Sequence, residues 1–410
     1  MAVSEMFEID RANCTACGAC INACPRGALK WSNDDCGFYY PELNADLCVK
    51  CGLCEKVCPI DKETQFSSAS SNPEGYAAYA PENNIRRNSS SGGVFSVLAS
   101  RILEQNGVVY GAAYLENFQV SHIGVRSMDD LVRLRGSKYV QSFIPENLFK
   151  EVKQELEKGT AVLFSGTPCL NAGLKTFLQK EYANLITVDL VCHGVPPQTV
   201  FDGHIKACEK RYGRKLVSYN FRDKEKSWHY FNTLLTWDDG TTTSMPFLKS
   251  PYMKLFLHDG QPFLRQSCYR CKYAKKLRCS DITIGDFWGY QQTATMPNTD
   301  EGISCVLCNT EKGKSFYREI SGNLTSEARR VDEVARSNYT FSHPTYYSEQ
   351  AREHFWSVFK QHGFEKAEME FSNSKKQLLI IFLDVHFPWA LALLVSGKHL
   401  LKKLKSLLRR

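Results

Sequence analysis

Eight cysteines between positions 14 and 58 are spaced for metal chemistry. Cys14, Cys17, Cys20 and Cys24, followed by Pro25, read C-x2-C-x2-C-x3-C-P, and Cys48, Cys51, Cys54 and Cys58, followed by Pro59, repeat it. Three thiolates at this spacing on a tight loop face one iron-sulfur cube, while the fourth starts a short helix, points away and reaches the other cube. The spacing therefore predicts two 4Fe-4S clusters with crossed ligands. One takes Cys14, Cys17, Cys20 and Cys58; the other takes Cys48, Cys51, Cys54 and Cys24. Gly18 and Gly52 let the loop backbone pass close to inorganic sulfide, and Pro25 and Pro59 fix the chain after the last ligand. Zinc sites built from C-x2-C pairs leave the third step of each run unexplained. Disulfide frameworks suit secreted chains, whereas the opening MAVSEMFEID has no apolar signal core. The expected location is the cytoplasm, where thiols stay reduced and available to iron.

These ligands need elements to hold them. A chain of 410 residues suggests two or three domains. Residues 1–65 read as a small ferredoxin-like unit whose clusters act as its core. Residues 66–75, FSSASSNPEG, read as a linker. Residues 76–345 read as a mixed α/β domain and 346–410 as a helical, basic C-terminal region. The fold class is α+β or α/β. The net charge of +7 is misleading. Lys398, Lys402, Lys403, Lys405, Arg409 and Arg410 supply six of those charges at the very end, and the remainder is nearly neutral. That pattern is a local basic tail and excludes a nucleic-acid-binding surface.

In the second domain, Ser89–Gly93 precedes a helical run over Val94–Gln105. Such a loop is either a phosphate seat, through free backbone N–H groups, or a plain helix cap. Gly107–Tyr114 reads as a strand, and GSKYVQS (136–142) as a loop. Thr160–Ser165 is a buried strand that breaks at Gly166, Thr167, Pro168 and Cys169, with a helix from Leu170 to Leu178. Leu185–Val191 is a second buried strand, ending at Cys192, His193 and Gly194. Strand C-termini that each deliver a cysteine mark a site in an α/β sheet. Leu216–Phe221 and Phe231–Trp237 read as antiparallel strands, with a hairpin turn at Asp239-Gly240. Cys268 and Cys271 form a further C-x2-C, with Cys279 eight residues on. Cys305 and Cys308 sit three apart in a strand and face opposite ways, so they, like Cys208 and Cys36, read as packing thiols.

At these residues the chain resembles the family of coenzyme F420 hydrogenase/dehydrogenase beta subunits, here with a ferredoxin unit in front. Gly92-Gly93-Val94-Phe95, Gly136-Ser137-Lys138-Tyr139, Gly166-Thr167-Pro168-Cys169, Cys192-His193-Gly194 and Asp281–Phe287 carry the resemblance, over about Tyr76 to Thr310. It implies FAD and a third 4Fe-4S cluster beside it, with Cys169, Cys192, Cys268 and Cys271 as matching ligands and Cys279 as a rival for one of them. It also implies a flavin seat, with pyrophosphate at Ser91, Gly92 and Gly93 and further contacts from Gly136, Ser137, Lys138, Gly166 and Thr167. Lys138 would lie near the electron-rich edge of the ring, and His193 and Asp286 are candidate proton donors.

Residues 378–395 are strongly apolar, but Asp384, His386 and Pro388 interrupt them, which argues against a simple membrane span. Leu400, Leu401, Leu404, Leu407 and Leu408 then recur at helical spacing among basic residues. Residues 378–410 thus suit either peripheral contact with the inner face of a membrane or packing on protein. The expected activity is that of an iron-sulfur flavoprotein oxidoreductase. Single electrons pass along the clusters, and FAD exchanges a hydride with an organic substrate of the coenzyme F420 kind or another metabolite. The expected partners are ferredoxin or another redox protein and a small hydride donor or acceptor; a homo-oligomer is left open. The alternative is a non-catalytic electron-transfer subunit that feeds a partner enzyme.

Overall fold

The computed structural model describes residues 10–60, 72–225, 227–258, 260–296 and 300–371. The cysteine-rich unit comes first: helix α1 (Ala19–Ala23), the antiparallel hairpin β1 (Leu29–Asn33) and β2 (Tyr39–Leu43), and helix α2 (Leu53–Lys56). Both helices start from a glycine in the left-handed region, Gly18 at φ +81° and Gly52 at φ +70°, where an L side chain is strained. The helices precede the fourth cysteine of each run; they do not begin with it. Cys20 and Cys54 are helical, whereas Cys24 caps the end of α1 and Cys58 follows α2, each just before its proline. A proline lacks the N–H that a continuing helix needs, so the turn ends there.

The second domain is built on an eight-stranded sheet. It uses β3 (Glu74–Tyr79), β4 (Val108–Tyr114), β5 (Val120–Val125), β6 (Val162–Gly166) and β7 (Leu185–Leu190). A separate antiparallel sheet follows, of β8 (Leu216–Asp223), β9 (Asn232–Trp237) and β10 (Thr242–Pro246). The chain then returns to the large sheet with β11 (Ile282–Asp286), β12 (Ser304–Cys308) and β13 (Thr325–Arg329), giving the order β13-β3-β12-β11-β7-β6-β4-β5. Strands β4, β6, β7 and β11 are parallel neighbours. Strand β3 shares their direction, because β12 runs antiparallel to both β11 and β3. Five strands therefore end at one edge, where ligands bind in open α/β sheets.

The remaining helices are α3 (Asn83–Arg87), α4 (Val94–Glu104), α5 (Met128–Leu131), α6 (Leu148–Glu157), α7 (Pro168–Leu178), α8 (Gln198–Tyr212), α9 (Pro251–Phe256), α10 (Glu311–Ile320), α11 (Val331–Ser337) and α12 (Glu349–Phe371). Apolar runs such as Val162-Leu163-Phe164 are wholly buried because both faces of the sheet are covered. Leu98 and Ile102 of α4, with Phe316 and Ile320 of α10, pack on one face. Phe149 and Val152 of α6, with Leu170 and Leu174 of α7, pack on the other, together with Ala19 and Val57 of the cysteine-rich unit. A further core joins α8, α9 and α12 to the small sheet through Phe201, Tyr252, Phe355 and Trp237.

Several boundaries differ from the sequence reading. Strand β3 begins at Glu74, inside the expected 66–75 linker, because its backbone pairs with β12 and β13 whatever its composition. Gly166 closes β6, and α7 starts at Pro168, a residue preorganised for a first helical turn. Cys169 therefore sits in that first turn and not in a loop. The C-terminal region is helical over Glu349–Phe371 and packs on the core, with a kink at Gly363. Residues 372–410, including the apolar 378–395 segment and the basic stretch, lie outside the described residues. No described helix is long and apolar enough to cross a membrane.

The cysteine-rich unit is bound to the second domain by polar as well as apolar contacts. Asn22, 1% exposed, donates to the carbonyls of Gly18 (3.0 Å) and Pro145 (3.3 Å) and accepts from the N–H of Phe149 (2.9 Å) at the start of α6. Trp31 Nε1 donates to Ile144 O at 2.8 Å. The substitution Asn22→Ala leaves the buried Phe149 donor without its acceptor. The expected loss is about 1–3 kcal/mol, read as a lower urea midpoint with the slope unchanged.

Candidate functional site

The eight N-terminal cysteines divide into two groups. Cys24 lines one recess together with Cys48, Cys51 and Cys54. Cys17 and Cys20 lie within electrostatic range of Cys14 and Cys58. Backbone N–H groups aim at the sulfurs: Ala28 N–H reaches Cys24 Sγ at 3.2 Å and Lys50 N–H reaches Cys48 Sγ at 3.4 Å. Such donors stabilise negative charge on sulfur. The Cys24 group faces outward, with Cys51, Val49 and Leu47 exposed. The Cys14 group faces the second domain, where burial pushes the Cys17 thiol strongly up, as do, to a lesser extent, Cys58, Cys14 and Cys169.

A third group forms at the sheet edge. Cys169 comes from the first turn of α7, Cys192 from the end of β7, and Cys268 and Cys271 from the segment after α9. Burial, and to a lesser extent the Cys169 and Cys271 sulfurs, push Cys192 up to about 12. Gly194 N–H donates to Cys192 Sγ at 3.3 Å. Gly194 has φ +110°, and a Cβ there would lie 2.9 Å from Leu264 and 3.1 Å from Cys268. Cys279 packs beside this group against Ala172 and Tyr273, but its thiol donates to Pro168 O at 3.3 Å. None of the cysteines is in a disulfide. Among the described residues, no three His, Cys, Asp or Glu side chains close around a single metal ion.

The third group adjoins the Cys14 group. A Cβ on Gly173 would sit 2.7 Å from both Cβ and Sγ of Cys17. Gly173 is four residues, about one turn, along α7 from Cys169, a rise of about 6 Å. Tyr273 lies between the groups, within electrostatic range of Cys17, Cys58 and Cys169, with its hydroxyl 3.4 Å from Pro59 O. Two fully buried arginines flank the third group, and each keeps a nitrogen without a hydrogen-bond partner: Nη2 of Arg265 and Nε of Arg278. Burial raises the Cys169 thiol to about 11, while Thr167 and the Arg265 charge draw it down. Orphaned cationic donors beside clustered thiols fit an anionic group such as an iron-sulfur cluster.

The residues expected at a flavin seat also gather at this edge. Ser137 donates from N and Oγ to Ser90 Oγ, at 2.7 and 2.9 Å, which joins the Ser89–Gly93 loop to the Gly136 loop. No side chain caps α4, whose start is Gly93 at φ +88°. The Ser91 hydroxyl is spent on Ile303 O, and Gly92 N–H on Ser304 Oγ, so the unshared capacity lies in the first turn of α4 itself. Beside Gly136, a Cβ would meet open space. Lys138 donates to the carbonyls of Arg133 and Arg135, 2.9 Å each, and burial pushes its pKa down to about 7. Gly166 packs on Leu170 and on His122, and Thr167 Oγ1 lies 3.2 Å from Cys169 Sγ. His193 stands 6.4 Å from Phe256, ring to ring. Asp286 is held by Arg222 at 2.9 and 3.1 Å and accepts from Trp228 Nε1 at 2.8 Å.

Sequence reasoning missed Arg222, Arg265, Arg278, Tyr273 and His122. Arg265 had a signal: it is the only charge in the run Gln261–Cys268, just before the C-x2-C pair. Arg278 directly precedes Cys279. Arg222 lies just past the strand read at 216–221, inside β8, which runs on to Asp223.

The fold and the cysteine groups define an oxidoreductase-type iron-sulfur electron-transfer protein, and comparison with known proteins agrees. Residues 13–62 match the 4Fe-4S dicluster domain. Residues 75–148 and 159–334 match the N-terminal and C-terminal domains of the coenzyme F420 hydrogenase/dehydrogenase beta subunit. The chain belongs to that family. It is 22% identical over 336 residues to a subunit of the F(420)H(2) dehydrogenase of Methanosarcina mazei, covering 78% of this chain and 86% of that one. It is 27% identical over 327 residues to the coenzyme F420-dependent sulfite reductase of Methanocaldococcus jannaschii, covering 76% of this chain and 46% of that one. Over 53 residues it is 43% identical to the VorC component of the ketoisovalerate oxidoreductase of Methanothermobacter marburgensis, covering 12% of this chain and 67% of that one.

His122 gives this edge a pH dependence. Its ring nitrogens lie 2.7 Å from Ser142 Oγ and 3.1 Å from Ser165 O, and burial pushes its pKa from 6.5 to about 4. Between those values the unfolded chain holds a proton that the folded chain rejects, so stability falls as pH drops from 6.5 toward 4. The contribution is roughly 3 kcal/mol at most. Urea midpoints should fall across that window, and His122→Gln should flatten the fall.

Proposed function

We propose that this chain carries single electrons through three 4Fe-4S clusters to a flavin, which exchanges a hydride with an organic substrate of the coenzyme F420 kind. Cys14, Cys17, Cys20 and Cys58 would hold the first cluster, Cys24, Cys48, Cys51 and Cys54 the second, and Cys169, Cys192, Cys268 and Cys271 the third. FAD, when bound, supplies the conversion between single electrons and an electron pair. The uncapped start of α4 and the joined Ser90–Ser137 loops are the surface that suits its pyrophosphate. Lys138, two residues after Gly136, supplies a cationic donor beside those loops. His193 and Asp286 are the candidate proton donors, with Asp286 oriented by Arg222.

One observation supports this reading most: the bare Gly173 backbone against Cys17, one turn from Cys169. It makes two cysteine groups from separate domains near neighbours, which electron transfer needs and structural thiols do not. The kinship with a dehydrogenase subunit supports a second reading, in which the chain delivers electrons within a larger assembly.

Anaerobic purification with iron, sulfide and flavin counts tests the proposal. About twelve irons per chain are expected, at four per cube, and Cys169→Ser should remove about four. Cys279→Ser should leave the count unchanged. A wild-type count near eight, or the absence of bound flavin, would refute the corresponding part. Gly173→Val should wedge the two groups apart and slow reduction of the third cluster by dithionite at least tenfold, with the iron content retained. Turnover of coenzyme F420 by the isolated chain separates the enzyme from the delivering subunit.

A further inference from the structure

Four arginines are buried among the described residues: Arg86, Arg222, Arg265 and Arg278. Three have a carboxylate at hand. Arg86 lies 3.7 Å from Glu301, Arg222 lies 2.9 Å from Asp286, and Arg278 lies 3.4 Å from Asp189. Arg265 forms no ion pair with any described carboxylate, although it is fully buried. Its Nε donates to Cys14 O at 2.7 Å, its Nη1 reaches Gln141 Oε1 at 3.4 Å, and its Nη2 has no partner. Its guanidinium lies 4.2 Å from the centre of the Tyr40 ring. Its own backbone N–H donates to Val195 O, three residues after Cys192. A buried cation without a counter-charge is strongly unfavourable, and the ring faces of Tyr40 and, at 5.7 Å, Phe38 offset only part of that cost. The guanidinium lies between the Cys14 and Cys169 groups, which would hold the negative charge the arginine lacks.

We propose that Arg265 is a redox-positioning residue, the shared counter-charge of the cluster held by the Cys14 group and the cluster held by the Cys169 group. This rests on the three-cluster reading above. Each cluster gains one negative charge when it accepts one electron, and a fixed cation at close range in a poorly screened interior favours that form of both. Arg265 thereby raises both potentials relative to the outward-facing Cys24 group, so an electron entering from outside collects next to the flavin-side edge. The same side chain fastens the two domains together, through Cys14 O on one side and Gln141 on the other.

The test uses the full chain purified anaerobically, with dithionite as one-electron donor and EPR-monitored titration of each cluster. Iron content reports assembly independently of activity. R265Q is expected to retain the iron and to shift the one-electron equilibrium of the two inner clusters toward the oxidised form about tenfold, which is about 59 mV. The outer cluster should be unmoved. R265K keeps the charge and should restore most of the shift. Full iron with unchanged inner potentials in R265Q would overturn the proposal. Should R265Q fail to retain iron, R265K decides. Wild-type iron and potentials in R265K support a charge role, and failure alike in both shows that only the arginine's hydrogen bonds matter, which overturns it. A wild-type count of eight irons refutes the third cluster and, with it, the shared role of Arg265.

Discussion

Helix α7 has the cysteine-rich unit against one side and the parallel sheet against the other, and at Gly173 nothing but backbone separates the unit from the helix. Any side chain there would meet Cys17. The contact fixes where the small unit sits, and Asn22, Trp31 and Val57 extend it over the Ile144–Phe149 segment and the sheet's apolar layer. Because Cys169 lies in the first turn of the same helix, one rigid element sets the separation of two cysteine groups. Rigid positioning suits electron transfer better than a flexible tether, since no domain motion has to precede each step.

Charge is the second constraint. The sheet edge collects thiols, and the chain places buried guanidinium groups beside them. Arg278 is balanced by Asp189 and also donates to the carbonyls of Tyr273 and Leu190, so it holds the strand end in place. Arg222 does similar work for Asp286, tying β8 of the small sheet to β11 of the large one. Buried pairs of this kind contribute little net stability but are costly to break singly. They order the site more than they stabilise the fold.

Much of this was legible in the chain, for a physical reason: metal ligands must be spaced along the backbone to meet one cube, so Cys14–Cys58 carry their own geometry. The strands at 162–166, 185–190 and 304–308 were visible as short apolar runs, because both faces are covered. Their order in the sheet was not visible, since register depends on contacts far apart in sequence. The start of α7 was read too late because Gly166-Thr167-Pro168 looks like a break, whereas proline favours a first turn. The flavin-seat residues were named by resemblance. The structure gathers them at one edge but spends the Ser91 hydroxyl and Gly92 N–H on neighbouring backbone and serine groups. Arg265, Tyr273 and Gln141 were missed because a buried polar residue shows no periodicity of its own.

The asymmetry between the inward and outward cysteine groups has a consequence for handling. Cys51 is open to water and Val49 is 58% exposed, while Cys14 is 7% exposed and covered by the second domain. Dissolved oxygen meets the outer sulfurs first. Corrosion in air should therefore run from the surface inward, leaving molecules whose inner cysteine group is intact after the outer one has been lost.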